Sequence, residues 1–140
     1  MQTTSLTIEW HNWGLCCGDD MVLEKTTISH TTNTIRIHQT NGRRETVHDE
    51  LVKVSEDEIR GLFSLIDQII ENGGWKPDYY LNGCDGSAWK MLIRRGSASQ
   101  IKVQGAYMNP PHGEEIERRI RQMLRNATAQ IAPELFCACK

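Results

Sequence analysis

Residues 55–74 constrain the fold more than any other stretch, because the hydrophobic period changes there. Ser55 followed by Glu58 has the spacing of a capping box, and Glu56 and Asp57 suit the positive end of a helix dipole. Ile59, Leu62, Phe63, Ile66, Ile69 and Ile70 then recur at helical spacing, so one face of this segment must be buried. Asn72-Gly73-Gly74 stops it. Whatever precedes and follows has to supply an apolar surface for that stripe.

The flanking segments alternate with period two and so read as strands. Leu6, Ile8 and Trp10 share one side of "SLTIEW", and "MVLEKTTISH" is rich in β-branched residues. "NTIRIHQT" and "RRETVHDELVKV" flank Asn41-Gly42, which predicts a hairpin closed by a type I′ turn, with Ile35 and Ile37 inward and Arg36 and His38 wet. A second unit repeats the plan: "SAWKMLIR" and "SQIKVQGAY" meet around Arg95-Gly96, and Pro110 and Pro111 end the second strand. A helix follows, opened by Glu114, Glu115 and Glu117, with Ile116, Ile120, Met123, Leu124 and Ala127 inward and Arg118, Arg119, Arg121 and Arg125 largely outward. The expected fold is α+β: an antiparallel sheet of four to six strands with two amphipathic helices packed on one face, in the order strands, helix, strands, helix. Residues 1–140 read as a single domain, with 130–140 a loosely docked tail in which Ile131, Leu135 and Phe136 are able to dock.

A chain of 140 residues buries a core without staples. The formal net charge of −2 argues against a dedicated nucleic-acid binder. The charge is uneven: residues 1–70 carry 6 Lys and Arg against 11 Asp and Glu, and residues 71–140 carry 10 against 7. The opening "MQTTSLTIEW" has neither the basic start nor the apolar run of a secretory signal. No stretch approaches the roughly 20 apolar residues of a membrane span, so no membrane partner is expected. These features point to a cytoplasmic protein, where five cysteines stay mostly reduced.

Residues 79–124 carry a further pattern. Asp85-Gly86 leads to Trp89 in a hairpin, and Gly105, Tyr107, Pro110 and Pro111 precede the last helix. In this the chain resembles small, mostly uncharacterised bacterial α+β proteins that share an Asp-Gly-x-x-Trp hairpin, a Gly/Tyr/Pro segment and a C-terminal helix. The upstream hairpin and helix are similar in order. The resemblance implies the architecture and no activity.

Three kinds of site are open. "HNWGLCC" and the terminal "FCACK" place His11, Cys16, Cys17, Cys137 and Cys139, with Cys84 as a further thiol, where a zinc or thiol site joining the chain ends would be built. Neither adjacent cysteines nor Cys-x-Cys has the spacing of a zinc knuckle, and buried thiols are the plainer account. A Cys84 nucleophile with His112 has the residue types but no local signature. No Walker loop, dinucleotide fingerprint or His-Glu-x-x-His is present. His30, His38 and His48 are scattered over strands.

RNA or single-stranded DNA could use Arg43, Arg44, Arg94, Arg95 and the last helix, with Arg36, Lys90 and Lys102 on the sheet. Such binders interleave charge with exposed rings, which are scarce here. A protein partner fits best: Trp13, Trp75, Tyr79, Tyr80, Arg118 and Arg121 are the residue types of interface hot spots. The sequence therefore leads to the expectation of a non-enzymatic binding protein of inhibitor, immunity or adaptor type, without a cofactor unless the cysteines hold zinc.

Overall fold

In the computed structural model, residues 2–12, 21–80, 87–97 and 99–136 are described. Four strands come first: β1 (Thr3–Asn12), β2 (Met21–Ser29), β3 (Thr34–Asn41) and β4 (Thr46–Lys53). Helix α1 (Glu56–Glu71) follows, then β5 (Asp78–Tyr80), β6 (Ser87–Arg95), β7 (Ser99–Ala106) and α2 (Gly113–Asn126). The strands form one sheet in the order β4-β3-β2-β1-β6-β7-β5. The order strands, helix, strands, helix is the expected one.

Two expectations need correction. The sheet has seven strands, not four to six, and it is not wholly antiparallel: β5 pairs with β7 in parallel, Tyr79 lying opposite Gly105. Three residues after Lys76-Pro77 carry no legible alternation, so β5 exists because β7 offers it an edge. The Asn41-Gly42 turn is also not type I′. Arg44 N–H donates to Asn41 O, and Asn41 and Glu45 close the loop at 3.0 Å, with Arg44 rather than Gly42 at positive φ (63°). Asn41 is buried, and its Oδ1 accepts the N–H groups of Arg43 and Glu45. A side-chain turn of this kind needs Asn at the first position and leaves Gly42 ordinary.

Register places the apolar residues on one face. Leu6 lies opposite Ile28 and Ile93, Ile28 opposite Ile35, and Ile35 opposite Val52, forming a row across five strands. These residues join Ile59, Leu62, Phe63 and Ile66 of α1 and Ile116, Ile120, Met123 and Leu124 of α2 in one buried cluster. Ser55 Oγ accepts Glu58 N–H at the start of α1, and Asn72, Gly73 and Gly74 close its end on the carbonyls of Gln68, Ile69 and Ile70. Thr3 of β1 donates through its N–H and hydroxyl to Asp67 of α1, which also receives Arg95 of β6 at 3.3 Å. No helix among the described residues is long and apolar enough to cross a membrane.

The tail is tied to the sheet as far as Phe136. Gln130 N–H donates to Glu50 at 2.9 Å and Glu134 N–H to Glu24, which also receives Gln39. Leu135 and Phe136 are buried, and the Phe136 ring stands edge-on to Trp89 with centroids 5.3 Å apart. Segment 130–136 thus docks through two of the three apolar residues that the sequence offered for it, while Ile131 is half-buried against the core. Residues 137–140 lie outside the described residues.

Candidate partner-binding face

The opposite face of the sheet carries no helix among the described residues. Alternation puts Ser5, Thr7, Glu9 and His11 of β1 there, beside Lys25, Thr27 and Ser29 of β2 and Ala88, Lys90, Leu92 and Arg94 of β6. Thr34, Arg36 and His38 of β3 join them, with Asp49, Leu51 and Lys53 of β4, Lys102 and Gln104 of β7 and Asp78 and Tyr80 of β5. Every one of these side chains is half-buried or exposed, whereas their chain neighbours Leu6, Ile8, Ile35, Ile37, Met91 and Ile93 are fully buried. Seven strands therefore present a broad polar surface.

Its charges are not balanced. The carboxylates are engaged: Asp49 holds Arg36 through two hydrogen bonds of 2.9 and 2.8 Å, Glu9 lies 3.5 Å from Lys90, and Asp78 accepts Gln104 Nε2 at 3.0 Å. The guanidinium of Arg36 keeps Asp49 ionised by holding its pKa below the usual value. Lys25, Lys53, Arg94 and Lys102 have no ion pair among the described residues. An uncovered sheet face with spare cations attracts acidic groups.

A notch interrupts the face at one end. His11 lies opposite Ala88, Ala88 opposite Ala106, and Ala106 opposite Tyr80. The small Ala88 between an imidazole and a phenol leaves a depression of about 310 Å³, also lined by Asn12, Trp89, Lys90 and Gln104. Tyr80 is 53% exposed. Partial burial and the nearby Asp78 push its hydroxyl pKa up, so it stays a neutral donor.

The residues singled out from sequence do not gather in one patch. Tyr79 and Tyr80 are neighbours in a strand and so point to opposite faces. Tyr79 is half-buried on the helix side, stacked on Trp89 at 6.5 Å, with its hydroxyl accepting Lys76 N–H. Trp75 is half-buried and donates Nε1–H to Pro111 O at 2.8 Å. Arg118 is held by Glu115 at 2.6 Å and Arg121 lies 3.6 Å from Glu117, so the arginine face of α2 is largely paired within its own helix. His11 is exposed at the notch. Trp13, Cys16, Cys17, Cys84, Cys137 and Cys139 lie outside the described residues, as do Asp85 and Gly86.

What sequence reasoning missed is Lys25 and Lys53, which join Arg94 and Lys102, two of the cations it offered for nucleic acid, on one face. The signal was there, since each stands at an outward position of an alternating segment, but collecting them required the strand order. Among the described residues no cluster of three or more His, Cys, Asp and Glu could hold a metal ion. No protein-family model and no curated protein matches the chain, so the face has to be read from its own chemistry.

Proposed function

We propose that the protein is a non-enzymatic binding module that docks an acidic protein surface on its open sheet face. The observation that carries this reading is the set of uncompensated cations, Lys25, Lys53, Arg94 and Lys102, on a face no described helix covers. Thr7, Thr27 and Leu92 fill the centre between them. Nucleic acid is the weaker occupant, because base stacking needs rings among the charges, and among the described residues the only ring at this face other than imidazoles is Tyr80, on the edge strand. The notch at His11 and Tyr80 suits one projecting side chain of the partner, an anchor in a pocket.

The test compares two baits in nuclease-treated bacterial lysate: the wild type and Lys25→Glu/Lys102→Glu. Both substituted positions are exposed, so the variant should fold normally. A protein retained by the wild type, released by salt and lost on the variant supports the reading. Equal retention by both baits overturns it, as does retention that is seen only in a parallel lysate left without nuclease.

A second reading, a zinc or thiol site, is favoured by where the described chain stops. Asn12 pairs with Ser87, so the chain leaves β1 and enters β6 side by side. Phe136 packs on Trp89, two residues further along β6. Asn12, Tyr80, Ser87 and Phe136 thus lie toward one end of the sheet, and all five cysteines fall in the segments 13–20, 81–86 and 137–140 that adjoin them in sequence and lie outside the described residues. Native mass spectrometry of protein purified without chelator decides it. A mass excess of one zinc ion with protected thiols supports this reading, and a metal-free mass with five reactive thiols removes it.

A further inference from the structure

Among the described residues the sheet ends on one side at β4, whose outer backbone edge faces no other strand. Which residues turn that edge outward follows from the ladder. Val54 N–H donates to Asn33 O at 3.0 Å, in register with Ile35 opposite Val52, Ile37 opposite Glu50 and Gln39 opposite His48. In an antiparallel pair the hydrogen-bonded positions alternate, so His48, Glu50 and Val52 direct their backbone groups to β3. Asp49, Leu51 and Lys53 direct theirs away from the sheet. The register shifts between Gln39 and Thr40, beside Val47, which limits the regular free edge to the residues that follow.

The side chains at these three positions all lie on the open face. Leu51 is 67% exposed, the highest among the large apolar residues described. Edge strands are usually protected by proline, by inward charge or by a covering element. This edge has no proline between Thr46 and Lys53, and no backbone hydrogen bond among the described residues reaches its outer side. Its two exposed charges are instead of opposite sign and spaced evenly around Leu51.

That spacing makes the strand complementary to itself. Laid antiparallel against a second copy about Leu51, it sets Leu51 opposite Leu51 and Asp49 opposite Lys53 twice, once on each side of the axis. All three pairs fall at positions whose backbone groups are free, so each would close two ladder hydrogen bonds. The axis stands perpendicular to the sheet, which keeps both helix layers on one side and both open faces on the other. Arg36 already neutralises Asp49 from the same face at 2.8 Å, so the added lysine completes a charge row rather than crowding one.

We propose that the protein forms a two-fold dimer by antiparallel pairing of β4 with β4 of a second copy, centred on Leu51. The interface is isologous, as closed dimers require, and it doubles the open face into one continuous surface. It uses main-chain hydrogen bonds for affinity and the Leu51 and Asp49–Lys53 pairs for register.

Sedimentation equilibrium over a range of concentrations tests this, with circular dichroism to show that each variant is folded. The wild type should associate reversibly to a dimer. Leu51→Lys places two ammonium groups face to face and should weaken the dimer by about tenfold or more. Lys53→Asp sets carboxylate against carboxylate and should weaken it too, while Lys53→Asp combined with Asp49→Lys should restore association. Wild type that stays monomeric at every concentration overturns the proposal. So does a dimer that Leu51→Lys and Lys53→Asp leave unchanged, or one that the charge exchange fails to restore.

Discussion

Gly105→Ala is expected to cost more than about 3 kcal/mol, a large loss for one methyl group. The Cβ would lie 2.2 Å from the Tyr79 carbonyl oxygen and 2.7 Å from Cζ2 of Trp89. Neither obstacle can yield cheaply. The oxygen belongs to the backbone of β5, held in parallel register on β7, and the indole is fully buried with Nε1–H donating to Met108 O at 2.7 Å. Gly105 thus sits where a strand on either side closes on it, with the Trp89 ring covering its empty side-chain position, the arrangement by which an aromatic shields a strand glycine. Equilibrium urea unfolding followed by tryptophan fluorescence would measure the loss. A change within about 1 kcal/mol would mean that β5 detaches freely and contributes little to stability.

Phe136→Ala is expected to cost about 3–5 kcal/mol, the usual range for emptying a fully buried aromatic site. Phe136 is 1% exposed, packs edge-on against Trp89 and lies near Gly113 at the start of α2. A tail that merely rested on the surface would lose almost nothing, so the magnitude separates docked from loose. The same segment should leave a pH signature through its two carboxylate anchors. Burial raises the pKa of Glu24, partly offset by Gln39 and the Glu134 N–H. A carboxyl with a raised folded pKa contributes stability that is complete below its unfolded value and fades as pH rises through the folded one. Glu50 runs the other way: the Gln130 N–H lowers its pKa, so its contribution is present above the unfolded value and lost as pH falls through the folded one. Thermal melts of the wild type and Glu24→Gln across acidic to neutral pH isolate the first effect. The wild type should gain on the variant as pH falls from neutral toward the ordinary carboxylate range. A constant difference would show that Glu24 is not strained by burial.

Both effects bear on what a sequence shows. β1, β3, β6, β7 and both helices were legible from a steady apolar period, β2 from its β-branched residues and β4 from the Asn41-Gly42 turn before it, and Ser55, Glu58 and Gly73 marked α1 at both ends. β5 was not, since three residues cannot display alternation. Reading it as a loop put Tyr79 and Tyr80 in one patch, when a strand separates them to opposite faces. Glu24 was equally hidden. A glutamate between Leu23 and Lys25 looks solvent-facing, and its burial is explained by Gln39 on the next strand together with an amide 110 residues away. The hot-spot arginines of α2 failed as a patch for a local reason, visible in hindsight at the Glu115–Arg118 and Glu117–Arg121 spacings. Arg36, Lys90, Arg94 and Lys102 were legible as one set, whereas Lys25 and Lys53 join them only through the strand order, a long-range property.

The place of β1 has a consequence for biosynthesis. It is made before the other six strands, yet it lies between β2 and β6 in the middle of the sheet. A ribosome adding about 5–20 residues per second needs on the order of ten seconds to pass from the end of β1 to the start of β6. During that interval the β1 edge that pairs with β6 has no partner, and the apolar inner face of β1–β4 has only α1 to cover it. The socket at Trp89 stays empty later still, until Phe136 has cleared the exit tunnel. The core joins Leu6 to Phe136, so it closes only once residues 130 positions apart have both emerged, and until β6 arrives one side of β1 stays unpaired.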